Sequence, residues 1–228
     1  MSEIWGLTVL SQHTVRVGRL EEADLHLARL RSYATQLSHQ DRVGYEASDL
    51  LLQHRREDWA QVRLATTRLS ESLGIGTSNP TLIFSHWQSF LALAEGRLSL
   101  LERAGDYDRT SARTAAEQAS KAHMKFARRY AVAMPHALLM KGRLLTLQGK
   151  TEQGEAALEQ ARAMAIGHSD PYAAARALHF RALAEPLHSP TRDEWLVTAM
   201  GEYDALGCRW HVGDVRRLRS GDPGDDLI

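Results

Sequence analysis

The chain has 228 residues, and its 28 lysines and arginines are matched by 28 aspartates and glutamates, so it carries no net charge at pH 7. That balance argues against a dedicated nucleic-acid binder, which shows a basic excess. No apolar run approaches the roughly 20 residues of a membrane-spanning helix. One cysteine, Cys208, excludes an intrachain disulfide and an all-cysteine metal site. The opening Met1-Ser-Glu-Ile-Trp5 has neither the charged nor the apolar region of a signal peptide, so a cytoplasmic location is expected.

Alanine and leucine dominate, and both are strong helix formers. In chain order, Leu20, Ala23, Leu27, Leu30, Ala34 and Leu37 recur at helical spacing. Val43, Ala47, Leu50, Leu51 and His54 follow, and then Leu82, Trp87, Leu91, Ala94, Leu98 and Leu101. Leu138, Gly142 and Leu145 lead, after a turn, to Ala157, Leu158, Ala161 and Ala165. Each stripe lies on one face of a helix and has to pack on a neighbour. No stretch alternates with the period of two that a strand needs.

The breaks are chemically specific. Asn79-Pro80, Asp170-Pro171 and Ser189-Pro190 join a capping side chain to proline at the first helical position, and Pro135 marks a start or kink after Met134. Gly18, Gly74, Gly76, Gly105, Gly149, Gly167 and Gly207 read as helix stops. Turns at Gly18-Arg19, Arg56-Glu57, Gly105-Asp106, Gly149-Lys150 and His188-Ser189 are spaced by 38, 49, 44 and 40 residues. The expected architecture is all-α: five antiparallel hairpins over about 2–38, 41–73, 80–127, 131–166 and 170–206, plus a short helix from Arg209 to Arg219. Residues 1–219 read as one domain, and the acidic, turn-forming 220–228 as a frayed tail.

Two stretches carry a family resemblance. Gly18-Arg-Leu-Glu-Glu-Ala-Asp-Leu-His-Leu-Ala-Arg-Leu30 and Gly142-Arg-Leu-Leu-Thr-Leu-Gln-Gly-Lys-Thr-Glu-Gln-Gly-Glu-Ala-Ala-Leu-Glu-Gln-Ala161 resemble the tetratricopeptide (TPR) hairpin. Gly142 and Gly149 match its two glycine positions, and Leu158 and Ala161 its large and small second-helix positions. Gly154 stands where alanine is usual, and the repeats exceed the standard 34 residues. The longer repeats and the ending Gly201-Glu-Tyr-Asp-Ala-Leu-Gly-Cys-Arg-Trp-His-Val-Gly-Asp-Val-Arg-Arg-Leu218 are similar to the C-terminal repeat regions of bacterial MalT-like and LuxR-type signalling ATPase regulators. The resemblance implies a right-handed TPR-like α-solenoid acting as a sensor or docking surface. No phosphate loop accompanies it.

Catalytic and metal chemistry find no assembled residues in the sequence. Cys208 and His211 lack the further ligands zinc needs. None of the 11 histidines forms an i, i+4 pair, and they read as surface or groove residues. Ser85-His86 point about 100° apart on a helix. Glu21-Glu22 and Glu57-Asp58 read as first-turn acids that favour the helix dipole. The basic clusters Arg55-Arg56, Lys125–Arg129 and Arg216-Arg217 with Arg219 are not joined by aromatic side chains. Trp59, Trp87 and Trp195 read as core, whereas Trp5 and Trp210 lie in terminal helices that lack a neighbour on one side. No enzyme activity, metal or cofactor is expected.

In a solenoid the first helices line the concave side. The repeat register places Trp5, Gln12, Arg16, Glu46, His54, Glu95, Arg103, His136, Arg143, Arg176 and His179 there. Mixed charge with histidine and tryptophan fits a protein or peptide ligand better than a polyanion. The alternative is a small molecule sensed inside the superhelix. The apolar start at Ile4-Trp5 also predicts dimerisation, or docking to a further domain, through the N-terminal hairpin.

Overall fold

The computed structural model describes residues 2–76 and 83–220. Among them are eleven α-helices and no strand. They are α1 (Ser2–Val17), α2 (Leu20–Arg31), α3 (His39–Arg55), α4 (Trp59–Ser72), α5 (Trp87–Glu102), α6 (Arg109–Arg129), α7 (Met134–Leu147), α8 (Thr151–Gly167), α9 (Pro171–Ala182), α10 (Pro190–Ala205) and α11 (Arg209–Ser220). Short 3-10 turns, Phe84–His86 and Ala131–Ala133, precede α5 and α7. No described helix is long and apolar enough to cross a membrane.

The helix ends follow the local chemistry, with instructive departures. Gly18, Gly149 and Gly207 take left-handed φ values of 83°, 76° and 68° in the expected turns. The stop expected at Gly167 is carried instead by Ser169, at φ 56°. Glu57, at φ 59°, makes the α3–α4 turn, and Asp58 is a cap, accepting from the Gln61 N–H at 3.1 Å. These two are therefore not first-turn acids. Asp170 caps α9 through the Ala173 N–H at 3.0 Å, as its proline pairing predicts. Ser189 does not cap with its side chain, which bonds Glu185 instead. The first stripe stops being helical at Arg31, before Ala34 and Leu37. The start expected at Asn79-Pro80 and nearly all of the tail lie outside the described residues.

The chain divides into two compact units, Met1–Ala133 and Met134–Ile228. In the first, α1 packs on α2 and α3, α3 on α4 and α5, and α5 on α6. In the second, α7 packs on α8 and α9, α9 on α8 and α10, and α10 on α11. Sequence neighbours pair, and first helices of successive pairs also touch. An inner helix is covered on several sides, which explains burial almost all round α5 and α9. The outer α2, α4 and α10 bury one stripe each, such as Ala23, Leu27 and Leu30 in α2. Phe90 on Phe126, with centroids 4.7 Å apart, joins α5 to α6. Tyr172, Leu178, Leu196, Tyr203, Val212 and Val215 build a core from α9, α10 and α11, with buried Cys208 among them.

Two glycines set the closest helix approach. An added Cβ on Gly154 would meet the Gly142 carbonyl oxygen at 3.0 Å and the Thr146 nitrogen at 3.1 Å, both backbone atoms. Gly201, inside α10, has nothing within 4 Å of such a Cβ. The same substitution therefore acts in opposite directions. Gly154→Ala destabilises by about 1–3 kcal/mol through overpacking, and Gly201→Ala stabilises by up to about 1 kcal/mol through helix propensity. Urea unfolding of the two variants beside the parent reads both signs.

Candidate functional site

The first unit brings three sequence-derived candidates together. His54 ends the buried face of α3, Glu95 lies mid-α5, and Arg103 follows the end of α5. Arg55 links them. Its Nη2 contacts Glu95 Oε1 at 2.9 Å, with both side chains at least nine-tenths buried. Its Nη1–H donates to His54 Nδ1 at 2.7 Å, and His54 Nε2 lies 2.7 Å from Ser99 Oγ. A guanidinium only donates, so Nδ1 must accept. The ring proton then sits on Nε2 and points at Ser99. A histidine acting as base toward that hydroxyl would need the opposite tautomer, so this Ser–His contact does not activate a nucleophile.

Trp59 closes the cluster. Its ring meets the His54 ring edge-on at 5.6 Å, and the Arg103 guanidinium stacks on it with Cζ 3.7 Å from the centroid. Trp59 is half-buried rather than core, and Arg103 is exposed. A buried ion pair thus supports an aromatic platform that carries a cation at the surface.

The other first-unit candidates stay apart. Gln12 is buried and Arg16 half-buried in α1, whereas Trp5 is 65% exposed. Glu46 is half-buried in α3, and its Oε2 has no hydrogen-bond partner among the described residues.

In the second unit the candidates form two groups. His136 Nε2–H donates to Asp170 Oδ2 at 2.8 Å, so the cap of α9 also holds a buried imidazole of α7. Arg176 places Cζ 4.9 Å from the Phe180 ring and 5.8 Å from Tyr172, and Arg143 lies 5.9 Å from Phe180. His179 sits 3.5 Å from the Tyr203 hydroxyl, and His211 3.2 Å from the Tyr172 hydroxyl.

Several expectations are corrected here. His54, His86, His123, His136, His179 and His211, read as surface or groove residues, are buried, and His54, His136, His179 and His211 contact polar side chains of neighbouring elements. Trp87 and Trp195 are half-buried, and the Arg181 guanidinium covers Trp195 at 4.2 Å. Two of the three basic clusters are divided among acids, with Arg56 paired to Asp24, Arg217 to Asp214 and Arg219 to Asp193. The Arg219 hydrogen bond holds the exposed Asp193 carboxyl below its usual pKa. Among the described residues no three His, Cys, Asp or Glu side chains converge to hold a metal ion.

The sequence reading missed Arg55, Ser99, Phe180 and the platform role of Trp59. Spacing held a signal for two of them. Ser99 lies four residues after Glu95, and Phe180 four after Arg176, each pair on one helix face.

The protein is thus an all-α assembly of sequentially packed helix pairs. No family model, no curated protein and no solved structure matches the chain.

Removing one partner of a buried ion pair is expensive. Glu95→Ala is expected to lower stability by about 3–5 kcal/mol, whereas Ser99→Ala lowers it by about 1 kcal/mol; chemical denaturation measures both. Long-range ¹H–¹⁵N spectra should find His54 protonated at Nε2, and a proton on Nδ1 alone would refute the tautomer assignment.

Proposed function

We propose that the protein is a protein- or peptide-binding helical-repeat module of the tetratricopeptide kind, the docking or sensor part of a bacterial signalling or transcriptional regulator. The observation that carries this reading is the exposed Arg103 stacked on Trp59 above the buried His54–Arg55–Glu95 network. Tryptophan and arginine are the side chains that most often dominate binding energy at protein interfaces. A platform already fixed by buried bonds loses little freedom on binding. The guanidinium edge suits a carboxylate or backbone carbonyl of a partner segment. The tautomer of His54 argues for recognition rather than acyl-transfer chemistry at this place.

In the second unit, Arg143 and Arg176, both near the Phe180 ring, support the alternative reading, a small molecule sensed inside the superhelix.

Quantitative capture from lysate compares the parent chain with Arg103→Glu, Trp59→Ala and the exposed control Leu25→Ser. The expected result is a defined partner lost by about 10-fold or more with the first two and kept with the control. Capture that ignores both variants rules out this face.

A further inference from the structure

The seam between α4 and α5 gathers arginines that have no acid beside them. Trp59, Arg63 and Thr66 recur at spacings of four and three along α4, so they share one face. Gly96, Leu100 and Arg103 recur in the same way along α5 and its C-cap. The two faces meet in antiparallel register. Arg103 stacks on Trp59 at one end, and an added Cβ on Gly96 would lie 2.9 Å from Thr66 Cγ2 at the other. Arg63 stands between these contacts, one turn from Trp59 and one from Thr66. Arg97 adjoins Gly96 on the facing helix. The seam is thus lined by exposed Arg63, half-buried Arg97 and exposed Arg103.

Elsewhere on these hairpins the guanidiniums have counter-charges. Arg55 holds Glu95, Arg56 holds Asp24 and Arg68 holds Asp49. Among the described residues no carboxylate pairs with Arg63, Arg97 or Arg103. The one acid of α4, Glu71, lies eight residues beyond Arg63, about 12 Å along the axis. On α5, Glu95 is committed to Arg55, and exposed Glu102 has a contact of its own. Burial and the neighbouring Arg63 charge hold the Arg97 guanidinium below its usual pKa. Like charges kept together, one of them partly desolvated, work against folding. A bound anion offsets both the repulsion and the lost hydration.

We propose that this seam binds an acidic peptide segment in extended conformation, with two carboxylates two positions apart, one held by Arg103 and the other by Arg63 and Arg97 together. The inference rests on the docking reading above and supplies the chemistry of the partner. Charge complementarity selects an anion, and the planar guanidinium fork matches a carboxylate. The spacing selects a pair of them. Arg97 and Arg103 are six residues apart, about 9 Å along the helix. Acids at i and i+2 of an extended chain stand about 7 Å apart, and their side chains span the difference. A single-stranded nucleic acid fits less well, because it needs open aromatic faces for its bases and Arg103 already covers the Trp59 face on this seam.

Titration of the ¹⁵N-labelled full chain with acetyl-Ser-Glu-Ser-Glu-Ser-amide, read at the arginine Nε–H signals, tests it at about 20 mM salt, where surface charges are little screened. The expected result is saturable shifts at Arg63, Arg97 and Arg103 with Kd of about 0.1–1 mM. Arg63→Gln and Arg97→Gln should each weaken binding about 10-fold, while Arg68→Gln, whose partner is Asp49, leaves it unchanged. The peptide with glutamine in place of both glutamates should bind the parent at least about 10-fold more weakly, a comparison that needs no variant to fold. Absence of shifts up to about 5 mM peptide overturns the proposal. So does equal binding of the glutamine peptide, indifference to both Arg63→Gln and Arg97→Gln, or tighter binding of a single-stranded oligothymidylate. Arg97→Met should unfold in urea at the same or a higher midpoint, and a clearly lower one marks a structural arginine and also overturns it. Lysate capture separates this inference from the docking reading. A partner lost with Trp59→Ala but kept with Arg63→Gln and Arg97→Gln overturns this inference alone. Peptide binding at the seam with no partner captured supports the site and counts against the docking reading.

Discussion

A helix hairpin cannot bury its own apolar faces, and the rest of this structure depends on that constraint. Two helices cover each other along one seam, so the first helix of each pair still needs its neighbours. The first helices therefore touch one another as well as their partners, in α1, α3 and α5 of one unit and in α7 and α9 of the other. Close approach needs small residues at the crossings, which is where Gly44, Gly96, Gly142 and Gly154 stand.

The same constraint places polar groups in unusual positions. A helix surrounded by helices has few positions left for water, so its polar side chains must satisfy each other. Arg55 and Glu95 do so between α3 and α5, with His54 and Ser99 completing the set. His136 does so with the α9 cap. Such bonds are costly to break because the remaining partner stays buried. They orient the first helices, and at Trp59 that orientation reaches the surface. Surface platform and core are thus one piece of chemistry in the first unit, because Arg103 and Trp59 stand on groups that also hold α3 against α5.

Where covering stops, the constraint appears in reverse. α1 has the register of a first helix and the small residue of a docking face, yet its outer stripe of Leu10, Val9 and Trp5 is open. A single exposed leucine carries no message. Here Leu10, Val9 and Trp5 lie along Gly6, in the register of an internal packing face.

Helical periodicity and turn chemistry are local properties, and they were legible in the residues alone. The all-α class, the paired helices, the left-handed glycines at 18, 149 and 207 and the Asp170 cap all follow from side chains within a few positions of one another. Sequence spacing also placed His54, Glu95 and Arg103 on first helices. It could not show that they meet, because their contacts join residues about 45 positions apart, through an arginine read as a member of a basic surface cluster. Nor could it show that Trp59 is a platform or that six histidines are buried. Whether a polar side chain on an inner helix faces water or another helix depends on the crossing of neighbouring pairs, and only the tertiary structure decides that.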